Sequence, residues 1–308
     1  MIYPLPYNLT VFRILTLYRD TTQPLVLRRY VIRKTFQELL QLFLHVDLKS
    51  QLQAIKEAIH KKYHIDISEE VRLEEIPDEF IIKELPVLIG TLYELDIVTM
   101  LQIHQLNPLF NNTFGNYVNM SDGSKMKAFD IVVSSLKDNQ LYAFDVKHAT
   151  IWRKSLQQDK IYLTNTSFSS VKINEVFSRY VVEAEKMYNC SVNSYLLFVC
   201  YDLLENSLSG FYEDDMLHSY HDYFKKVFNG ERCDNLEKAC FVINLKQLCK
   251  QVDGEYVFNR NTPNILSLED EVLFSNSKQI YHNKFAIDIT SSACIRLDNF
   301  IQQYLVTR

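Results

Sequence analysis

An α/β fold is what the sequence predicts, on three observations. Short apolar runs with strand-like alternation recur between longer segments of helical periodicity. Hydrophobic residues make up 47% of the 308, with only six glycines and seven prolines, a composition of a folded chain with a sizeable core. The two clearest strand runs, residues 128–133 and 141–147, flank the polar stretch Leu136-Lys137-Asp138-Asn139, as the arms of a hairpin flank its turn.

Taken in order, residues 28–46 and 48–62 read as two amphipathic helices, and residues 66–79 as an acidic connector ending near Pro77. A helix follows over residues 84–105, with Pro86 suited to its first turn and Asn107-Pro108 as its stop. After the hairpin come a helix over 173–188, a strand over 194–201 and a helix over 211–229. A strand at Cys240–Asn244 and a final helix over 293–305 close the chain.

The hairpin carries the chemistry. With 136–139 as a four-residue loop, Ser135 pairs with Gln140, and counting back along both arms sets Asp130 opposite Asp145. Like charges directly opposite each other destabilise a ladder. Lys147 shares the face of Asp145, because side chains alternate along a strand. Phe129, Ile131, Val133, Phe144 and Val146 fall on the other face, the expected core side. Two acids and a lysine on one sheet face make a divalent-metal site with a cationic helper, a constellation suited to phosphodiester cleavage. The plainer alternative is a solvated strand face.

The helix upstream supplies a third acid. Helical spacing places Glu94 on a stripe with Val87, Gly90, Thr91, Ile97, Val98 and Leu101. A carboxylate on such a stripe is costly unless it is paired or metal-bound. Asp96 is the rival acid, on the stripe of Leu92, Tyr93, Met100 and Ile103. Glu94 is preferred.

A helix with a glutamate, a strand with an aspartate, then Asp-x-Lys on the next strand: this order resembles the PD-(D/E)XK nuclease superfamily. The motif reads Phe129-Asp130, fourteen intervening residues, then Asp145-Val146-Lys147. Phe129 stands where the family has proline, a departure that does not touch the chemistry. The resemblance covers about residues 84–202. It implies a restriction-endonuclease-like core, a mixed central sheet flanked by helices, over residues 80–205. A helical, basic region (1–79) would precede it, and an α/β extension (206–308) would pack on it.

The resemblance further implies a Mg²⁺-dependent endonuclease, with Mn²⁺ able to substitute. Glu94, Asp130 and Asp145 would hold the metal, with Val146 counted among the metal-holding positions, and Lys147 would orient water or stabilise the charge that develops on phosphate. DNA is the expected substrate. An RNA endonuclease on the same scaffold and a non-catalytic binding or assembly protein are the alternatives. Hard oxygen ligands suit Mg²⁺, and no His/Cys cluster argues for zinc.

A net charge of −5 conceals an uneven distribution. Residues 1–63 hold ten Lys/Arg against four Asp/Glu, and residues 120–172 hold eight against five. Residues 64–119 hold two against ten, and residues 201–274 seven against fourteen. Phosphate binding needs a local basic surface, which Arg28, Arg29 and Arg33, with Arg153 and Lys154 beside Trp152, would provide. A solvated helix face explains the N-terminal arginines equally well. Gln158 and Tyr162 form only a weak echo of a Gln-x-x-x-Tyr element. His148 alternates away from the acids and reads as a packed or exposed histidine rather than a base.

The six cysteines show no CxxC pair, which points to a reducing compartment, cytoplasm or nucleus. The N-terminus has no basic, apolar leader and no run reaches membrane-spanning length, so no membrane partner is expected. A symmetric dimer would suit a palindromic site. P-loop, dinucleotide-loop and serine-elbow motifs are all missing, which argues against those enzyme classes.

Overall fold

The computed structural model describes residues 76–110, 125–151, 160–164, 184–200, 203–204, 224–259, 265–268, 272–275, 278–281 and 284–307, together with 117–119, Gly123, Asp222 and scattered positions between 24 and 61. Two compact units divide the chain. The first is Met1–Leu95 with Asn112–Asn116, and the second is Asp96–Asn111 with Tyr117–Arg308. Helix α1 (Asp78–Ile103) spans the expected break at residue 79 and contributes residues to both units.

The start of α1 lies six residues ahead of expectation. Asp78 and Glu79 occupy its first turn, where acids favour the positive end of the helix dipole, and Pro77 O accepts from Phe80 N at 3.0 Å. Phe80 and Ile81 are buried, and that apolar gain carries the helix upstream. Pro86 is therefore interior rather than in the first turn. The far end is as read: Gln105 takes a left-handed φ of 61°, and Leu106 N closes on Leu101 O at 3.2 Å. In the first unit, the described residues between 25 and 37 and between 53 and 61 are helical.

The second unit is built on a six-stranded mixed sheet flanked by helices. Its strands are β1 (Leu109–Phe110), β4 (Ile131–Ser134), β5 (Leu141–His148), β8 (Val192–Val199), β9 (Cys240–Asn244) and β16 (Cys294–Arg296), in that spatial order. Only β5 and β8 run parallel, their connection including the helical residues 184–188. β2 (Tyr117–Asn119) pairs with β3 (Lys125–Lys127), and β10 (Cys249–Val252) with β11 (Glu255–Phe258). A second sheet orders β12 (Ile265–Leu268), β15 (Lys284–Asp288), β7 (Tyr162–Thr164) and β6 (Thr150–Ile151). β13 (Val272–Ser275) and β14 (Lys278–Tyr281) form a further hairpin.

Both faces of the central sheet are covered, which corrects the expectation of one core face. Val132, Ala143, Leu196, Phe198, Phe241 and Ile243 join one apolar cluster with Ile151, Leu163, Ala184 and Ile287. By register this is the face of Asp145. Phe129 belongs to this cluster too, not to the opposite face, because the chain bends at Asp130 and strand alternation stops there. The other face is aromatic: Phe300 packs edge-on to Tyr142, Phe144 and Tyr195, at 4.9 Å from the last. Burial on both faces explains why β5 and β8 read as nearly unbroken apolar runs.

The final helix is shorter than expected. Residues 294–296 form the edge strand β16, and α2 (Leu297–Phe300) continues into a π-turn at Ile301–Leu305. Arg296 holds this corner, with its guanidinium on Asp298 and Glu231. The last turn leaves carbonyls without helical partners, and the β4–β5 loop supplies them. Leu136 N donates to Leu305 O at 2.8 Å, Ser135 Oγ to Tyr304 O at 2.7 Å, and Lys137 Nζ to Gln303 O at 2.8 Å. Residues 206–308 thus add two strands to the sheet and brace the hairpin loop.

Candidate active site

β5 outruns β4. Over Leu141–Phe144 it has β4 on one side and β8 on the other, while over Asp145–His148 its ladder continues with β8 alone. Ser135 N donates to Gln140 O at 3.0 Å, as expected, and the β4–β5 register ends with Ile131 opposite Phe144. Asp130 sits at a bend just before β4, outside that register, so it is not the cross-strand partner of Asp145 that the hairpin count predicts.

Backbone groups alternate in direction along an antiparallel strand, so those of Gln140, Tyr142, Phe144 and Val146 point toward β4. β4 pairing stops at Phe144, which leaves Val146 N–H to be satisfied another way. It donates to Asp130 Oδ2 at 2.8 Å. The Asp130 carboxylate, fully buried, therefore finishes the ladder.

Asp145, on the cluster face of β5, is 1% exposed. Lys147 reaches back from two residues on: its Nζ lies 2.6 Å from Asp145 Oδ2 and 3.9 Å from Asp130 Oδ2. It also donates to Val146 O at 3.1 Å. The contact with Asp145 is an ion pair and not an aligned hydrogen bond. Two carboxylates, a main-chain carbonyl and one ammonium thus converge. The lysine, 23% exposed, is the member that meets solvent.

Glu94 is buried at 4% exposure on the predicted stripe, with Thr91, Ile97, Val98 and Leu101, whereas Asp96 is half-buried. Glu94 belongs to the first unit, and Asp130, Asp145 and Lys147 to the second. Among the described residues no three His, Cys, Asp or Glu side chains gather to hold a metal. Asp96 lies in the second unit, where it adds, after burial and Cys233, to the upward push on the Cys240 thiol.

The basic residues divide. Arg28, Arg153 and Lys154, with Trp152 and Gln158, lie outside the described residues. Arg29 and Arg33 grip Asp78 at 2.6 Å each, and Arg33 also donates to Ile76 O at 2.9 Å. Asp78 is 7% exposed, so both arginines neutralise a buried acid at the start of α1. His148 lies on the aromatic face, and burial pushes its ring down to about 4.

A second acid–lysine pair escaped the sequence reading. Asp288, 1% exposed at the end of β15, accepts from Thr290 N at 2.9 Å and from Thr290 Oγ1 at 2.6 Å. Lys160 Nζ stands 3.1 Å from its other oxygen. Asp288-Ile289-Thr290 is the local signal that marks such a side-chain turn.

Compared with protein-family models, curated proteins and solved structures, the chain matches none. No helix among the described residues is long and apolar enough to cross a membrane.

Proposed function

We propose that the chain is a metal-dependent endonuclease that hydrolyses phosphodiester bonds in DNA, on a restriction-endonuclease-like core of the PD-(D/E)XK kind. The observation that carries this reading is the convergence of the Asp130 and Asp145 carboxylates, the Val146 carbonyl and the Lys147 ammonium at the end of β5 that β4 leaves uncovered. The order helix, strand, Asp-x-Lys strand and later parallel strand agrees with it.

The donor set fits a hard dication: two carboxylates and a carbonyl, with neither thiolate nor imidazole among them. Mg²⁺, or Mn²⁺ in its place, would be held by Asp145, Asp130 and the carbonyl of Val146. When bound, it supplies Lewis-acid stabilisation of the scissile phosphate and activation of the attacking water. Asp130 has a second duty, since its Oδ2 must keep the Val146 N–H satisfied. Lys147 contributes positive charge where charge builds on the phosphate. Any base-specific contacts lie elsewhere on the protein.

The test is cleavage of plasmid, single-stranded DNA and sequence-matched RNA with Mg²⁺, Mn²⁺ or chelator. Metal-dependent cutting of DNA that Asp145→Asn loses is the expected result. Cutting of RNA alone would move the substrate class. No cutting of any substrate in either metal, by protein shown to be folded, would sink the nuclease reading.

A further inference from the structure

We propose that Lys147 is a built-in competitor for the metal: its ammonium occupies the cation position between the two acids, and a divalent ion enters only as the lysine swings out. This rests on the metal-site reading above and deepens it, by naming how that site is kept in the metal-free protein.

The geometry is specific. Lys147 Nζ lies 2.6 Å from Asp145 Oδ2 and 3.1 Å from Val146 O, with Asp130 Oδ2 at 3.9 Å. A hard dication bound by the same oxygens, at roughly 2.0–2.6 Å from each, would take over Asp145 Oδ2 and Val146 O, the acceptors that the ammonium now holds. The two cations repel at such a separation and compete for the same acceptors, so they exclude each other. The lysine stem is flexible and the residue is 23% exposed, whereas the acids are 0–1% exposed and set in the strand ladder, so the lysine is the part that moves.

The Lys147 ammonium places positive charge beside Asp130 and Asp145, both buried. Replacing it by a dication neutralises both and releases an ammonium beside the bound phosphate. The same side chain thus guards the site before the metal arrives and serves the chemistry afterwards.

The experiment compares binding of Mn²⁺ and Mg²⁺ alone, without nucleic acid, to the full chain and to Lys147→Met, Lys147→Gln and Asp145→Asn, by calorimetry. Melting is followed with and without each metal. The lysine variants should bind metal about tenfold or more tightly than the parent, the scale of a partly exposed ion pair removed as competitor. They should also melt lower without metal and gain more from it. In the parent, acetylation of Lys147, read by mass spectrometry, should quicken when metal is added. Equal or weaker metal binding by the lysine variants, with Asp145-dependent binding intact in the parent, overturns the competition and leaves the metal site standing. Parent and lysine variants that all fail to bind metal in an Asp145-dependent way overturn both. A lysine variant too unstable for calorimetry is replaced by the acetylation arm, in which an unchanged rate at saturating metal overturns the proposal.

Discussion

Among its described residues the second unit buries two clusters in which a lysine meets aspartate, and they are built differently. At Asp288 a single carboxylate has one oxygen satisfied by its own turn, through Thr290 N and Oγ1, and the other by a half-exposed lysine. At the end of β5 two carboxylates share one lysine. The first arrangement balances charge with charge and adds two local hydrogen bonds. The second gathers two carboxylates and a main-chain carbonyl around one ammonium where β4 pairing ends. A carboxylate held by its own turn is a structural device, whereas several oxygens gathered around one cation are what a metal ion can take over.

Substitutions sharpen that contrast, from the largest expected effect downward. Asp145→Asn should abolish Mg²⁺-dependent cleavage, whereas Asp288→Asn should leave the rate of the folded fraction unchanged. Equal loss in both, measured by single-turnover cleavage at matched folded concentration, would erase the distinction between the clusters. Lys147→Ala should slow the chemical step by about 10²-fold at saturating metal, as expected when one aligned electrostatic stabiliser is lost. Lys160→Ala should not change it. Parent-like rates in Lys147→Ala would take that lysine out of the mechanism.

Stability should respond at both clusters. Asp288→Ala leaves Thr290 N–H without its acceptor and should cost about 1–3 kcal/mol in urea unfolding. The half-exposed Lys160 contributes little to that figure because water screens it. Asp130→Ala should cost a similar amount, since Val146 N–H loses its partner, and Asp130→Asn should recover part of it. Recovery of stability without recovery of cleavage would separate the two duties of Asp130.

The smallest expected effect is a pH slope. Burial holds the His148 ring near pKa 4, below its ordinary 6.5. The unfolded chain then binds more protons than the folded one between those values. His148 therefore contributes stability that is complete above pH 6.5 and is lost as pH falls toward 4. His148→Phe should flatten that part of the stability profile, and an unchanged slope would assign it to other groups.

Much of the candidate site was legible because a hairpin is a local object. Four polar residues between two apolar runs set its register, and strand alternation puts Asp145 and Lys147 on one face, whereas the bend at Asp130 lies beyond that register. The β9 strand was legible to the residue, as Cys240–Asn244, for the same reason. The helix start was misplaced because Pro86 is a strong local signal that burial of Phe80 and Ile81 overrides. The arginines at 29 and 33 looked like a phosphate-binding surface, since nothing near them in sequence announces Asp78, more than forty residues on.

By itself the sequence determined the α/β class, the hairpin register, the stripe that buries Glu94 and the acid–lysine set on β5. All of these follow from periodicities of a few residues, which are properties of the local chain. Only the tertiary structure decided that both sheet faces are covered and that β16 and β9 complete the sheet begun by β4, β5 and β8. It alone decided that the hairpin loop caps the carbonyls of the final turn. It also decided that β4 stops short, so that Asp130 replaces a strand as the partner of Val146 N–H. These outcomes depend on which distant segments pack together, and the short-range pattern of apolar and polar residues carries no record of that choice.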